Sequence, residues 1–522
     1  MRLFTTIAGL RAHLNSLFKD QTIGLVPTMG ALHMGHASLI KRAIAENQIT
    51  VVSIFINPLQ FAPTEDLQKY PRQFTQDCQL CEQLGVDVIF APTPETMGIA
   101  KNTDTQTNSL TTTVVPPQQM TSVLCGSFRL GHFQGVATIV TKLFTIIAPT
   151  VAYFGEKDAQ QLAIIRQLVK DLNLNIDIRG CPTVREPSGL AYSSRNQYLT
   201  QQEKEQAVIL SKSLKYAQES FAQGERDSQT LMTRVREQLK TVPEINIQYI
   251  ELVHPTTLMP LEKITDSGLL AIAAHLGSTR LIDNVILRQR KPIIAIDGPA
   301  GVGKSTVTRL VALELGLTYL DTGAMYRALT WLVLQKGIPL DDEGAIAELV
   351  SDLHLELIPS VFPEQPMTIK INGEDVTEAI RTPEVTKNVS VISAQRYVRQ
   401  GMLSQQHQYG KIGGIIVEGR DIGTKVFPDA ELKIFLTASV QERAKRRSKD
   451  LIAQGQTNIE LLQLEQDIGR RDYLDSHRAI SPLLKAPDAI AIDTDGLTIH
   501  QVTEKIVQLY RERISTDSQV SG

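Results

Sequence analysis

Two histidines three residues apart, His33 and His36, sit in PTMGALHMGH, after the β-branched run TIGLVPT and at the start of the helical pattern HASLIKRAIAEN. Imidazoles in the first turn of a helix add donors where unpaired backbone N–H groups and the helix dipole already favour an anion, so the spacing suits a nucleotide phosphate. The competing reading of a bare His-x-x-His is one capping histidine and one solvated histidine. Far downstream, DGPAGVGKST (Asp297 to Thr306) is a complete Gly-x4-Gly-Lys-Ser loop between the run IIAID and the helical pattern STVTRLVALELG. There Gly298 and Gly303 let the backbone wrap phosphate, Lys304 reaches the β and γ oxygens, and Ser305 is placed to ligate Mg²⁺. Each loop needs its own strand and helix, so each implies its own fold.

The length of 522 residues exceeds what one hydrophobic core serves, and two or three domains are expected. Apolar residues at 42% and charged residues at 21% match an ordinary globular protein and exclude a disordered or membrane class. A net charge of −3 gives no global field for recruiting nucleic acid, so positive charge is expected only locally, around phosphates. No apolar run reaches spanning length, and the first residues lack a signal-peptide pattern. A cytoplasmic location without membrane partners is the expectation. Among four cysteines, Cys78 and Cys81 form a lone Cys-x-x-Cys inside a helical pattern, with no second pair or nearby histidine to complete a zinc site.

Strand-like runs alternate with helical patterns over about residues 1–180, which argues for a parallel α/β sheet with ligands at the carboxyl ends of its strands. From Thr200 to Val242 the pattern is helical and polar, and INIQYIELVH and GLLAIAAHLG then read as strands of a smaller α+β lobe, about 181–288. A boundary falls at LRQRKP, Leu287 to Pro292, and the α/β pattern restarts with IIAID to give a second domain over 289–522. Within it, MTIKINGEDVTEAI alternates around Asn372-Gly373, a hairpin signal marking an inserted subdomain.

INPLQF, GSFRLGHFQGV, FGEKDAQQ, YSSRN and RLIDN, together with the histidine motif, resemble pantothenate synthetase (pantoate–β-alanine ligase) over about residues 1–288. The resemblance implies a Rossmann-like nucleotidyltransferase domain that joins pantoate to β-alanine with ATP through pantoyl adenylate, releasing AMP and diphosphate. By motif it assigns ATP to Met29, Gly30, Ala31, Leu32, His33, Met34, Gly35, His36, Gly155, Glu156, Lys157, Asp158, Val184, Tyr192, Ser193, Ser194 and Arg195. His36 would be the proton donor, and His33 and Lys157 would also be catalytic. Gln60, Gln161, Asn57 and Arg129 would hold pantoate or β-alanine; amides suit a substrate with a carboxylate and hydroxyls because they both donate and accept. The family's Arg-Pro-Gly-His reads Arg129-Leu130-Gly131-His132 here, and its Met-Tyr-Pro stretch is replaced by Met97-Gly98-Ile99, in the loop from about Glu95 to Gln119. Pairing of two chains through this domain is a further expectation.

YLDTGAMYRA, GEDVTEAIRT, VEGRDIGTKVFPDA, ASVQERAKRR and RRDYLDSHRAISPL resemble cytidylate kinase over about residues 292–513. The resemblance implies a P-loop nucleoside monophosphate kinase that phosphorylates CMP or dCMP with ATP and Mg²⁺. ATP would lie on Gly298, Pro299, Ala300, Gly301, Val302, Gly303, Lys304, Ser305 and Thr306. The monophosphate would lie on Thr322, Tyr326, Arg327, Ser390, Arg399, Arg420, Asp421, Arg471, Asp475 and Arg478. Arg443, Arg446 and Arg447, spaced i, i+3 and i+4, share one helical face. Alone this is more often a solvated face or an RNA patch. In the family context it is a closing lid, with Arg443, Arg447 and Lys304 expected to be catalytic.

Overall fold

The computed structural model describes every residue except 18–20, 62–66, 100–110, 359–366, 454–459, 479 and 520–522. The chain divides into two compact units, Met1–Gln289 and Arg290–Gly522.

In the first unit, β1 (Arg2–Phe4), β2 (Ile23–Thr28), β3 (Ile49–Ile54), β4 (Val88–Phe90), β5 (Val151–Gly155) and β6 (Asp177–Cys181) form one sheet. Its order is β1-β4-β3-β2-β5-β6, and every neighbouring pair is parallel. The strands are short and mostly buried because helices cover both faces. On one face, Val136, Val140 and Leu143 of the helix His132–Ile147 pack with Val51, Phe90 and Phe154; on the other, Leu39, Ile40 and Ala43 of the helix Met34–Glu46 pack with Val26, Val52 and Tyr153. The order reverses between β2 and β5, and such a switch point opens a crevice at the carboxyl ends of the strands. Of the loop 95–119, residues 100–110 lie outside the described residues. Met97 and Ile99, which replace the family's usual stretch, are buried in the core, whereas Leu130, at the usual proline position, is 88% exposed.

The lobe packs the helices Ile209–Ala222 and Ser228–Leu239 on an antiparallel meander of β7 (Ile245–Val253), β8 (Ser267–Leu276) and β9 (Thr279–Arg288). The third strand was not among those expected; its alternation of Leu281, Asp283, Val285 and Leu287 is interrupted by a buried carboxylate, which weakens the signal in sequence. The meander's other face, with Tyr249, Val253, Leu269 and Ala273, packs on Met120, Leu124, Phe133 and Ile164.

The second unit begins with β10 (Lys291–Asp297), two residues after β9. It continues through β11 (Thr318–Asp321), β12 (Leu355–Ile358), β13 (Thr368–Ile371), β14 (Glu374–Asp375), β15 (Gly413–Gly419), β16 (Leu432–Thr437) and β17 (Ile490–Asp493). The main sheet, β11-β15-β10-β16-β17, is parallel throughout, with β10 central. The inserted sheet β12-β13-β14 is antiparallel, and its turn residues Asn372 and Gly373 have φ of 50° and 85°, the paired left-handed geometry of a tight hairpin. Among the described residues no helix is long and apolar enough to cross a membrane.

Candidate active sites

The histidine motif leaves the end of β2 and the Gly155–Asp158 turn leaves the end of β5, so the two strands at the switch point deliver their motifs to one cleft. Met29, Gly35, His33, His36, Asn57, Gln60, Arg129, Gly155, Lys157, Asp158, Gln161, Val184, Tyr192, Ser193, Ser194 and Arg195 all line it. Gly30, Ala31, Leu32, Met34 and Glu156 do not; Ala31 is fully buried and Met34 is turned out, 51% exposed.

Five N–H groups around the start of this helix, those of Gly30, Ala31, Leu32, His33 and Gly35, have side-chain acceptors. Gly30 N–H donates to Thr28 Oγ1 at 3.2 Å, and Ala31 and Leu32 N–H donate to the two carboxylate oxygens of Asp77 at 2.9 and 2.7 Å. His33 N–H donates to His36 Nδ1 at 3.3 Å and Gly35 N–H to His33 Nδ1 at 3.1 Å, a reciprocal capping box built from two imidazoles. Capping and anion binding are thus not alternatives here: the inner ring nitrogens cap. Burial pushes His33 down to about 4, with Lys157 the next cause, and pushes His36 down to about 3, with His33 and then Lys157 adding. Both rings are neutral near pH 7, and with Nδ1 accepting, each ring proton sits on Nε2. With Nδ1 taken up in the cap, the one ring nitrogen of His36 left to donate is Nε2.

The amide side of the cleft is tied together differently. Asn57, which is buried, donates from Nδ2 to Gly135 O at 3.0 Å and to Gln60 Oε1 at 3.2 Å, and accepts Leu59 N–H at 3.0 Å. It shapes the turn that presents Gln60. Arg129 Nη1 lies 3.0 Å from His132 Nε2, and the Gln60 carbonyl faces both side chains.

Two adjacent lobe residues of the RLIDN motif hold two cleft loops. Asn284 Nδ2 donates to the carbonyls of Glu156 and Lys157 at 3.0 and 2.8 Å, fixing the turn that carries Lys157. Asp283, which is buried, accepts from both terminal nitrogens of Arg185, in the loop whose ends join where Tyr192 N–H donates to Val184 O.

In the second unit the P-loop follows β10 and leads into the helix Lys304–Leu315. Gly298 has φ of 152°, and a Cβ there would stand 2.3 Å from the Leu436 carbonyl oxygen, so only glycine lets the loop pass the end of β16. Lys304 Nζ donates to the Gly298 and Pro299 carbonyls at 2.7 and 2.6 Å, holding the ammonium inside the loop's own curve. Burial pushes its pKa well down, as does Arg420, whereas Glu418, Asp297 and Asp475 oppose. The Ser305 hydroxyl bonds the buried Glu418 carboxylate, which also accepts from Tyr319 Oη. Asp297, raised to about 6 by burial, accepts Ile422 and Gly423 N–H at 2.8 and 2.7 Å and so pins the turn after Arg420 and Asp421.

One cleft gathers the loop residues Ala300 to Thr306 with Thr322, Tyr326, Arg327, Ser390, Arg399, Arg420, Asp421, Arg471, Asp475 and Arg478. Gly298 and Pro299 do not line it. Arg399 pairs with Asp421 and stands 5.4 Å over the Tyr326 ring, and Arg420 Nε donates to Asp475 at 2.9 Å. Arg471 Nε and Arg478 Nη2 are buried without a hydrogen-bond partner, and burial pushes both guanidinium pKa values down. Around Arg471 stand Arg420, Arg327 and Arg447. Arg478 is also held, its Nε by the Ser481 carbonyl and its Nη2 within 3.8 Å of Asp421, but crowded guanidinium groups with buried nitrogens lacking a hydrogen bond mark an anion site.

Arg443 does not share this cleft. It is 3% exposed, forms a bidentate pair with Asp472 at 2.9 and 2.5 Å and donates to the Ala300 carbonyl at 3.1 Å, so it braces the P-loop from behind. The shared helical face holds, but Arg443 lies one turn nearer the sheet. Arg446, bonded to Thr494, and Arg447 do line the cleft; 454–459, beyond this helix, lie outside the described residues. Cys78 and Cys81 are free thiols, and burial raises Cys81 to about 12, which leaves it inert near pH 7.

The family model for pantoate-beta-alanine ligase matches residues 2–286 and that for cytidylate kinase matches 294–512. A protein of Nostoc sp. strain PCC 7120 named bifunctional pantoate ligase/cytidylate kinase is 58% identical, covering 99% of this chain and 100% of that one. A protein of Synechocystis sp. strain PCC 6803 with the same name is 60% identical, covering 98% of this chain and 99% of that one. The crystal structure of pantothenate synthetase from Thermus thermophilus is 41% identical with a TM-score of 0.51, covering 55% of this chain and 99% of that one. Both units and the order that joins them are matched end to end, and the chain belongs to the bifunctional pantoate ligase/cytidylate kinase family.

Proposed function

We propose that the first unit condenses pantoate with β-alanine at the cost of ATP, and that the second phosphorylates CMP or dCMP. In the first, a pantoate carboxylate oxygen attacks the α-phosphorus, the bond to the β-phosphate bridge breaks and diphosphate leaves. The β-alanine amine then attacks the acyl carbon, AMP leaves, and the amine proton passes to solvent. The observation that carries this reading is the pair His33 and His36, whose Nδ1 atoms accept backbone N–H groups and leave each Nε2 to donate, in one cleft with Lys157. Two imidazole donors and an ammonium stabilise charge developing on the departing diphosphate without a covalent intermediate. Gln60 and Gln161 line the same cleft as amides for pantoate.

In the second unit, Lys304 leaves its loop carbonyls for the β and γ oxygens, and Arg327, Arg420 and Arg471 take the acceptor phosphate. Arg447 reaches the transferring phosphoryl, and Ser390, Arg399, Asp421 and Arg478 surround the base. The oxygen donors of Ser305 and Glu418 suit Mg²⁺, which when bound neutralises phosphate charge. A cytoplasmic place and pairing of two chains through the first unit complete the proposal; light scattering reads the pairing.

The test uses the purified full chain. ATP–diphosphate exchange should require pantoate, and CMP should outrun UMP and AMP as phosphoryl acceptor. Exchange driven by another acid would replace the ligase reading, and a half that binds ATP yet turns over nothing would be a nucleotide-sensing module.

A further inference from the structure

We infer that Asp77, which no sequence motif marked, is the positioning residue of the ligase site. It fixes the turn that aims His33 and His36. The inference rests on the proposed ligase function of that cleft.

Asp77 belongs to the first turn of the helix Phe74–Leu84, in sequence far from the histidine motif, and is 3% exposed. Its two oxygens accept consecutive N–H groups, Ala31 at 2.9 Å and Leu32 at 2.7 Å, immediately before the capping His33. Burial raises its pKa and the two backbone bonds oppose that rise. Two further features fit the carboxylate. Gly30, with φ of 81°, would place a Cβ 2.9 Å from Asp77 Oδ2, so glycine leaves the space the carboxylate occupies. Ala31 is a non-glycine residue in the left-handed region, with φ of 51°, a conformation that needs outside support. Asp77 supplies that support from one side. The Ser194 hydroxyl, donating to the Ala31 carbonyl at 3.1 Å, supplies it from the other.

The consequence is directional. With both N–H groups turned toward Asp77, the turn offers no anion nest of its own, and its task is to set where the helix begins. Since each imidazole is oriented by a bond from the backbone of this same helix start, a shift of the turn swings both Nε2–H groups together. Asp77 does not line the cleft, so it acts through the histidines.

Full-length Asp77→Asn and Asp77→Ala proteins are assayed for pantoate-dependent ATP–diphosphate exchange and for CMP phosphorylation, with the KM of ATP and of pantoate measured separately. Asparagine keeps one acceptor and sets an amide N–H against the other donor; alanine leaves both donors without an acceptor. The expected result is a rise in the KM of ATP with a fall in kcat, together about 10- to 100-fold in kcat/KM, larger for alanine than for asparagine. The KM of pantoate should move less than that of ATP, because Gln60, whose Nε2 bonds Met29 Sδ beside the turn, is also held by Asn57; the kinase rate should stay within about twofold. A merely structural role would reduce the active fraction and lower kcat with both KM values unchanged. An unchanged KM of ATP in the asparagine protein would therefore overturn the inference, even if the alanine protein fails to fold. Absence of exchange in the unsubstituted protein would instead count against the ligase reading itself.

Discussion

Asp283 on β9 grips Arg185 through two hydrogen bonds of 2.6 and 2.9 Å, so a buried carboxylate of the lobe's sheet fixes the loop whose ends, Val184 and Tyr192, line the nucleotide cleft. Asp283→Asn leaves the guanidinium without its counter-charge. Because Arg185 is itself 32% exposed, the cost should stay near the lower end for broken pairs, about 1–3 kcal/mol in the unfolding of the first unit. Chemical denaturation of the full chain, followed by loss of ligase activity, measures it.

Asn284, the next residue, should act on catalysis rather than stability. Asn284→Ala frees the Glu156 and Lys157 carbonyls and lets Lys157 wander, so ligase kcat should fall about tenfold while the kinase rate is unchanged. Steady-state assays of both activities on one preparation check this.

The lowered pKa values of His33 and His36 carry a sign. Between about 4 and the ordinary 6.5 the unfolded chain binds protons that these buried rings refuse, so they make the first unit less stable as pH falls through that window. A His33→Asn, His36→Asn protein should lose less stability than the unsubstituted one between pH 7 and pH 5. Parallel unfolding midpoints across that range would contradict the assignment.

Arg443 and Arg447, on one helical face, should separate. Arg443→Ala removes the brace on Asp472 and the Ala300 carbonyl, and should destabilise the second unit by about 3 kcal/mol. Arg447→Ala should leave stability nearly unchanged and lower kinase kcat by at least about 100-fold. Thermal unfolding and steady-state kinetics of the two variants distinguish the roles.

Much of this was legible in the chain because strand, glycine loop and helix lie together in sequence. The Gly298-to-Ser305 loop and the His33–His36 pair each carry their local context, and the cleft residues around them follow from neighbouring motifs. What was not legible depends on contacts between distant segments. Asp77 reaches Ala31 and Asn284 reaches Lys157 across folds that no local pattern encodes, and Asp77 looked like any acidic residue in a first helical turn. Arg443 and Arg447 have the same helical phase, so spacing could not say which faces phosphate and which is buried against Asp472. The acceptor of the Ala31 and Leu32 N–H groups, just before the histidine pair, comes from a distant helix that sequence could not place.

The central claim is that one chain carries two separate triphosphate cradles, and paired variants test it most directly. Lys304→Ala and His36→Ala are made singly in the full chain, and both activities are measured on each. Lys304→Ala should reduce CMP phosphorylation by at least about 1,000-fold and leave pantothenate formation within about twofold, and His36→Ala should do the reverse for the ligase by at least about 100-fold. Loss of both activities in either variant would contradict the account.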